Sequence, residues 1–190
     1  MTWLVCDYGE VISYAPREDD VTALAGLCGL GAEEFTEAYW SRRVAYDRGD
    51  LDASSFWSSL ASRPLGPEAL GRCVDADVAS WTRLDPRSTA AIEACERRGW
   101  RLALLSNAPA EIARALDATP WFARFEHRLF SCDLRVTKPD PAIFRALLER
   151  LGADPSAVTF VDDRPSNVEA AAATGIRAVR YDGPGTIEGL

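Results

Sequence analysis

The chain has 190 residues, of which 47% are hydrophobic, and its formal net charge at pH 7 is −8. This size and composition predict one large folded domain, or a core with a small satellite, and exclude a disordered chain. The acidic balance argues against nucleic acid as the main ligand, because nucleic-acid binding needs a cationic face. A small anionic substrate fits this charge if a metal ion and local basic side chains reverse the sign at the site.

The chain carries no signal for a membrane or an oxidising compartment. No run approaches the ~20 apolar residues of a membrane span, and the N-terminus lacks the pattern of a signal peptide. The five cysteines are odd in number and form no CxxC pair. These features predict a cytoplasmic protein without membrane contact, whose cysteines are small buried hydrophobic residues. The single histidine, His127, is expected at the surface.

The chain opens on a short apolar run, residues 3–6, which ends in Asp7. This pattern predicts a buried strand that delivers Asp7 to its carboxyl end, where ligands bind in open α/β sheets. Two later runs repeat the pattern: residues 102–105 end in Ser106-Asn107, and residues 158–161 end in Asp162-Asp163. If the three strands lie parallel in one sheet, these polar side chains meet at one rim.

Residues 15–84 carry helical signals and no convincing strand. Apolar residues recur there at helical spacing in four segments, and Asp20, Asp52 and Pro67 stand where helices are expected to begin. Four amphipathic helices in a row predict a small bundle. Because they interrupt the strand–helix alternation directly after Asp7, we expect them to form a lid over that strand end.

From Asp85 onward, predicted strands and helices alternate. The predicted strands cover residues 101–105, 127–131, 158–161 and 176–179, and helices are expected to begin near Pro86, Pro109, Pro141 and Pro165. Repeated β–α units with short connections predict a parallel, doubly wound, Rossmann-like α/β sheet. The chain thus divides into an α/β core, residues 1–14 and 85–190, and an inserted helical bundle, residues 15–84. The glycine-rich tail from Asp182 is expected to fray.

Four chemical elements follow one another along the chain: Asp7, Ser106, Lys138 and the Asp162-Asp163 pair. In this order they resemble the haloacid dehalogenase superfamily of phosphatases, dehalogenases and phosphotransferases, in the subgroup with a helical cap after the first strand. The resemblance covers nearly the whole chain. Its supporting stretches are Tyr46-Asp47-Arg48-Gly49, Leu105-Ser106-Asn107, Lys138-Pro139-Asp140-Pro141, and Phe160-Val161-Asp162-Asp163 with Asn167.

The resemblance implies a Mg²⁺-dependent phosphatase of a small phosphorylated metabolite, with Asp7 as the nucleophile that forms an aspartyl-phosphate. Mg²⁺ prefers oxygen ligands, which Asp7, Asp162, Asp163 and the carbonyl of Gly9 would supply. Whether Asp163 contacts the metal directly or supports the site from behind stays open.

The resemblance also implies how the phosphoryl group is bound. The Ser106 hydroxyl and backbone N–H groups near Asn107 would hold phosphoryl oxygens, and Lys138 would neutralise charge on the nucleophile and the transferring group. From the helical insertion, Arg42 and Tyr46 are candidates to bind substrate. Arg43 and Arg48 are further candidates to face the rim, although both Arg42 and Arg43 also fit a solvated helix face and Tyr46 fits the interior of the bundle.

Gly9 departs from the pattern of the family, whose phosphatases usually carry a second Asp there as general acid and base. Losing a general acid/base costs ~10²–10⁴ in rate. Dehalogenases of the family place Tyr at this position, so Gly9 disfavours that activity, whereas a subgroup of sugar-phosphate-type phosphatases resembles this chain in having Gly. We therefore expect a slow phosphatase. The alternative is a catalytically weak relative that binds a phosphometabolite or a protein partner.

Overall fold

A single sheet supports the rest of the protein. The computed structural model describes residues 2–190, which form the strands β1 (Trp3–Cys6), β2 (Arg101–Ser106), β3 (His127–Phe130), β4 (Val158–Asp162) and β5 (Arg177–Arg180). All five pair in parallel, in the order β3-β2-β1-β4-β5. The order reverses direction at β1, as in a doubly wound sheet. The predicted parallel α/β architecture is confirmed.

Ten α-helices accompany these strands within residues 2–190. They are α1 (Glu18–Cys28), α2 (Ala32–Asp47), α3 (Ala53–Leu60), α4 (Pro67–Trp81), α5 (Pro86–Arg97), α6 (Ala110–Asp117), α7 (Ser131–Leu134), α8 (Pro141–Leu151), α9 (Pro165–Ala172) and α10 (Gly185–Glu188). Two 3₁₀ segments, Pro120–Arg124 and Pro155–Ala157, complete the connections.

The sheet separates two apolar cores, because successive side chains of a strand point to opposite faces. Leu4 and Cys6 of β1 pack on one face with residues of α5, α6 and α10. Trp3 and Val5 pack on the other face with residues of α8 and α9. Helices therefore cover both faces, which a parallel sheet requires for burial of its strands.

Helices α1–α4 lie between β1 and α5 in the chain and have a core of their own, which includes Phe35, Phe56 and Trp57. Helix α3 begins as predicted, because Asp52 caps it by accepting the N–H of Ser55. The predicted start of α1 is wrong. Arg17 is its N-cap, and Asp20 lies in the first turn with its carboxylate accepting the Arg17 N–H at 2.7 Å.

The C-terminal end of α2 is fastened to the sheet side of the protein by buried hydrogen bonds. The hydroxyl of Ser131 accepts the Ala108 N–H at 3.0 Å and donates to the carbonyl of Asp47 at 2.5 Å. The phenol of Tyr46 donates to Glu111 Oε2 at 2.8 Å. These contacts fix where α2 stands relative to the ends of the strands.

The C-terminal tail folds back on the sheet side, and the prediction that it frays is wrong. Helix α10 packs against α5, and Ile187 is fully buried in the core shared with Cys95. Leu190 also packs against this core, so burial of apolar side chains holds the tail in place.

The prediction that the cysteines are small buried residues holds for Cys6, Cys28, Cys73 and Cys95. All five cysteines are free thiols, and Cys132 is the one that retains partial exposure. Every helix within residues 2–190 is too short or too polar to cross a bilayer.

Candidate active site

The carboxyl ends of β1, β2 and β4 meet at one cleft. The strand register pairs Cys6 with both Leu104 and Val161, so the next residues, among them Asp7, emerge at the same edge. The N–H of Asp7 donates to the carbonyl of Val161 at 2.9 Å, which fixes the backbone at this point. The cleft has a volume of about 310 Å³, and Asp7, Gly9, Ser106, Asn107, Lys138 and Asp163 all line it.

Lys138 joins two of the carboxylates at this edge. Its Nζ lies 2.6 Å from Asp7 Oδ1 and donates to Asp162 Oδ2 at 2.7 Å and to the Leu105 carbonyl at 2.9 Å. Burial alone would lower the pKa of Lys138, but the carboxylates of Asp7 and Asp162 outweigh it and raise the pKa above its ordinary value. The ammonium is therefore charged, and its three protons are used within the protein.

Two asparagines hold this arrangement in place. The side chain of Asn107 donates to the carbonyl of Lys138 and accepts the Lys138 N–H, both at 2.9 Å. The side chain of Asn167 donates to the two oxygens of Asp162 at 2.9 and 3.0 Å. The side-chain amide of Asn107 thus orients the loop of Lys138. The phosphate-binding role expected near Asn107 is therefore left to backbone N–H groups.

Asp7, Asp162 and Asp163 form a set of oxygen donors suited to a divalent cation. Each offers one carboxylate oxygen, and the three oxygens lie within 4.8 Å of one another. Burial raises the pKa of Asp7, with Lys138 opposing the rise and Asp162 adding to it. Burial and then Asp162 also raise the pKa of Asp163. Negative charge is in excess here, and a hard cation such as Mg²⁺ fits both the donor type and the charge.

The opposite wall of the cleft comes from α2 and α4 and is formed by Trp40, Arg43, Val44, Asp47 and Trp81. Arg43 is 5% exposed, and its Nε donates to Asp47 Oδ1 at 2.6 Å. Its Nη1 lies 3.8 Å from Asp77 Oδ1, and its guanidinium carbon lies 5.6 Å from the centre of the Trp81 ring. The only cation on this wall is thus already surrounded by carboxylates and an aromatic ring.

Trp81 occupies the space beside Gly9. A Cβ built on Gly9 would lie 3.3 Å from Cζ3 of Trp81, closer than side chains ordinarily pack. The indole is held in place, since its Nε1 donates to the Tyr39 hydroxyl at 3.2 Å and its backbone carbonyl accepts the Tyr8 hydroxyl at 2.6 Å. A side chain at position 9, where the family usually carries an acid/base Asp, would therefore press against the last residue of α4.

Arg42 and Tyr46 do not line the cleft within the described part of the chain. Arg42 is exposed and donates to the carbonyl of Ala38, and Tyr46 is buried. Their neighbours Arg43 and Asp47 line the cleft in their stead, one residue or about 100° further round the helix. The sequence feature that could have identified this pair is the i, i+4 spacing of an arginine and an aspartate on a largely apolar helix face.

The match to known proteins agrees with this architecture. The family described as haloacid dehalogenase-like hydrolase matches residues 13–175 of the chain. The chain belongs to this family. The resemblance inferred from the four sequence elements is thereby confirmed at the level of the superfamily.

Relatives of this haloacid dehalogenase-like hydrolase differ in length and in name. Phosphatase MT3486 of Mycobacterium tuberculosis is 30% identical over 176 residues, which cover 88% of this chain and 80% of that protein. Acyl-CoA dehydrogenase family member 10 of Mus musculus is 35% identical over 161 residues, which cover 83% of this chain but 13% of the mouse protein.

A solved structure shares the fold. The HAD family enzyme bt-2542 of Bacteroides thetaiotaomicron, in complex with magnesium and inorganic phosphate, superposes with a TM-score of 0.78. The two chains are 20% identical, and the match covers 95% of this chain and 93% of the other. At this identity the likeness speaks for the fold alone.

Proposed function

We propose that this haloacid dehalogenase-like hydrolase is a Mg²⁺-dependent phosphatase of small phosphomonoesters. The observation that carries the proposal is the position of Asp7: its carboxylate lies 2.6 Å from the Lys138 ammonium and belongs to the three-carboxylate set with Asp162 and Asp163. A phosphatase among the relatives, 30% identical over 88% of this chain, supports the same reaction class.

Asp7 would act as the nucleophile. Lys138 holds its Oδ1, which leaves the second oxygen to attack phosphorus while the bond from phosphorus to the ester oxygen breaks. The leaving oxygen takes a proton from water, because Gly9 provides no acid. Water then attacks phosphorus of the aspartyl-phosphate, which releases inorganic phosphate and restores the Asp7 carboxylate.

Other groups would bind and orient the phosphoryl group. Ser106 is buried at the end of β2 and lines the cleft, where its hydroxyl can donate to a phosphoryl oxygen. Mg²⁺ held by the three carboxylates and the Gly9 carbonyl would offset the repulsion between the Asp7 carboxylate and a phosphate dianion. Since its protons are used within the protein, Lys138 would act chiefly by keeping Asp7 oriented and ionised.

We also propose that residues 15–84 serve as a cap over an α/β core made of residues 1–14 and 85–190. Side chains of α2 and α4 form the wall of the cleft that faces Asp7, which supports this division. A cap in this position would exclude water from the phosphoryl group and limit the size of the leaving group. The cleft of about 310 Å³ suits a small metabolite.

Hydrolysis of p-nitrophenyl phosphate tests the proposal. We expect turnover that EDTA abolishes and Mg²⁺ restores, and loss of turnover in Asp7→Asn. Asp75→Asn is the matched control, because Asp75 is an exposed carboxylate of α4. Turnover without metal, or an Asp7→Asn protein as active as the control, would overturn the phosphatase assignment. Halide release from 2-haloacids would instead assign the chain to the dehalogenases.

The second candidate is a relative that binds a phosphometabolite and turns it over weakly. The specific observation in its favour is the contact of Trp81 with the position beside Gly9. Calorimetric titration with vanadate, a phosphate mimic, would then reveal Mg²⁺-dependent binding, while a broad phosphomonoester panel shows no turnover.

A further inference from the structure

The wall opposite Asp7 carries an ion pair that phosphoryl transfer does not use. Arg43 donates to Asp47 at 2.6 Å and lies 3.8 Å from Asp77, so one cation is flanked by two carboxylates. Asp77 is 2% exposed and also accepts the Tyr39 hydroxyl at 2.7 Å, which fixes it behind Arg43. This cluster has no positive charge to spare for a third anion.

Acidic side chains also outnumber basic ones in the cleft as a whole. Of residues 2–190, three basic and four acidic side chains line it. Lys138 is held between Asp7 and Asp162, and Arg164 is exposed and directly follows Asp163. A bound Mg²⁺ and a phosphate dianion cancel each other in charge. A leaving group with its own carboxylate would therefore add negative charge to a site that is already acidic.

The hydrogen-bonding groups of Arg43 and Asp47 also favour a neutral leaving group over one with a carboxylate. Arg43 lines the cleft, although its Nη1 is itself buried and lies 3.8 Å from Asp77 Oδ1. Asp47 lines the cleft and can accept a proton. A hydroxyl accepts from an arginine and donates to a carboxylate at once, whereas a carboxylate can only accept.

We propose that the Arg43–Asp47 pair forms a subsite for a neutral, hydroxyl-bearing leaving group, and that the enzyme discriminates against phosphomonoesters that carry a carboxylate. The inference rests on the proposed function, since it takes the phosphoryl group to lie at Asp7. Trp40 and Val44, which are 45% and 58% exposed at the mouth of the cleft, add an apolar surface for the C–H groups of a polyol.

Two matched probes test this selectivity: sn-glycerol 3-phosphate and 3-phosphoglycerate, which differ by a CH₂OH group in place of a carboxylate. Affinities are measured calorimetrically with Mg²⁺ on Asp7→Asn, which prevents turnover, and kcat/KM is measured on the wild type. We expect the glycerol ester to bind at least about tenfold tighter, because like charges at a binding site are strongly unfavourable. Equal affinities, or a preference for 3-phosphoglycerate, would overturn the inference.

Asp77→Asn, combined with Asp7→Asn, then tests whether the charges around Arg43 cause the preference for sn-glycerol 3-phosphate over 3-phosphoglycerate. It removes a charge behind Arg43 while Asn can still accept from Tyr39, so the preference should fall about tenfold through tighter binding of 3-phosphoglycerate. Asp47→Asn should shift the ratio in the same direction and serves if Asp77→Asn fails to fold. Asp75→Asn is the control on the same helix. An unchanged ratio in both variants would refute the role of the pair.

Turnover of p-nitrophenyl phosphate separates the two proposals, because this ester has neither an alcohol hydroxyl nor a carboxylate. Activity on it without the expected preference would defeat the subsite alone. Absence of metal-dependent activity, together with the preference in binding, would defeat the phosphatase assignment alone.

Discussion

Gly9→Asp tests most directly whether the missing acid/base at position 9 limits the turnover rate. Gly9 is not among the glycines with positive φ within residues 2–190, so an L side chain meets no backbone strain there. The obstacle is steric, since a Cβ at this position would lie 3.3 Å from the ring of Trp81. The ring would have to move by a few tenths of an ångström, and its hydrogen bond to Tyr39 resists that movement.

A general acid/base is worth ~10²–10⁴ in rate. We expect Gly9→Asp alone to gain only part of this, because Trp81 crowds the new carboxylate. The double variant with Trp81→Leu should gain the full factor in kcat on sn-glycerol 3-phosphate, measured as phosphate release. The gain on p-nitrophenyl phosphate should be smaller, because p-nitrophenolate leaves without needing a proton.

Gly9→Ala, alone and with Trp81→Leu, is the matched control, since it adds the same Cβ without the carboxyl group. Circular dichroism checks that each variant folds, and the comparison within each Trp81 background cancels any effect of Trp81 on binding. Equal kcat for the Asp and Ala variants in the Trp81→Leu background would refute the view that the missing acid/base at position 9 limits turnover.

Three further outcomes are expected. Lys138→Met leaves two buried carboxylates without their cation, so urea unfolding in EDTA should show a loss of about 3–5 kcal/mol, and an unchanged midpoint would contradict the ion-pair geometry. Burial raises the pKa of Asp77 to about 6 against the attraction of Arg43, so the folded state keeps this proton while the unfolded state loses it near pH 4. The contribution of Asp77 to the free energy of unfolding therefore falls by about 3 kcal/mol as the pH rises from ~4 to ~6. Over this range the stability of Asp77→Asn should rise by that amount relative to the wild type. A constant difference between the two proteins would refute the raised pKa of Asp77. Ile187→Ala should lower stability by about 2–5 kcal/mol although Ile187 lies only three residues before the last residue of the chain, whereas a frayed tail would show no change.

Local signals account for the sheet and for most helix ends. Asp52 caps its helix, and Pro67 is the first residue of α4, because caps depend on a few neighbouring residues. The strand ends that carry Asp7 and Ser106 follow from short apolar runs. Since the carboxyl ends of parallel strands share one edge, the core side of the site could be placed from the sequence.

The side of the site formed by α2 and α4 could not be placed in this way. Whether Arg42 or Arg43 faces the cleft depends on the rotation of α2, which is set by contacts such as Ser131 with the Asp47 carbonyl, 84 residues away. The filling of the space beside Gly9 by Trp81 is equally non-local. Periodicity identifies which helix face is apolar, but it does not say which element that face will meet.

The hydroxyl of Ser131 has a consequence for how the cleft can change shape. It bridges Ala108, in the loop that follows Ser106 and Asn107, and the carbonyl of Asp47 at the end of α2. This buried oxygen thus fixes the distance between the loop after β2, on the phosphate side of the cleft, and the end of α2, on the side proposed for the leaving group. The hydrogen bond from Tyr46 to Glu111 joins the same end of α2 to α6. Any movement that widens the cleft at this end must therefore break both the Ser131 bridge and this hydrogen bond.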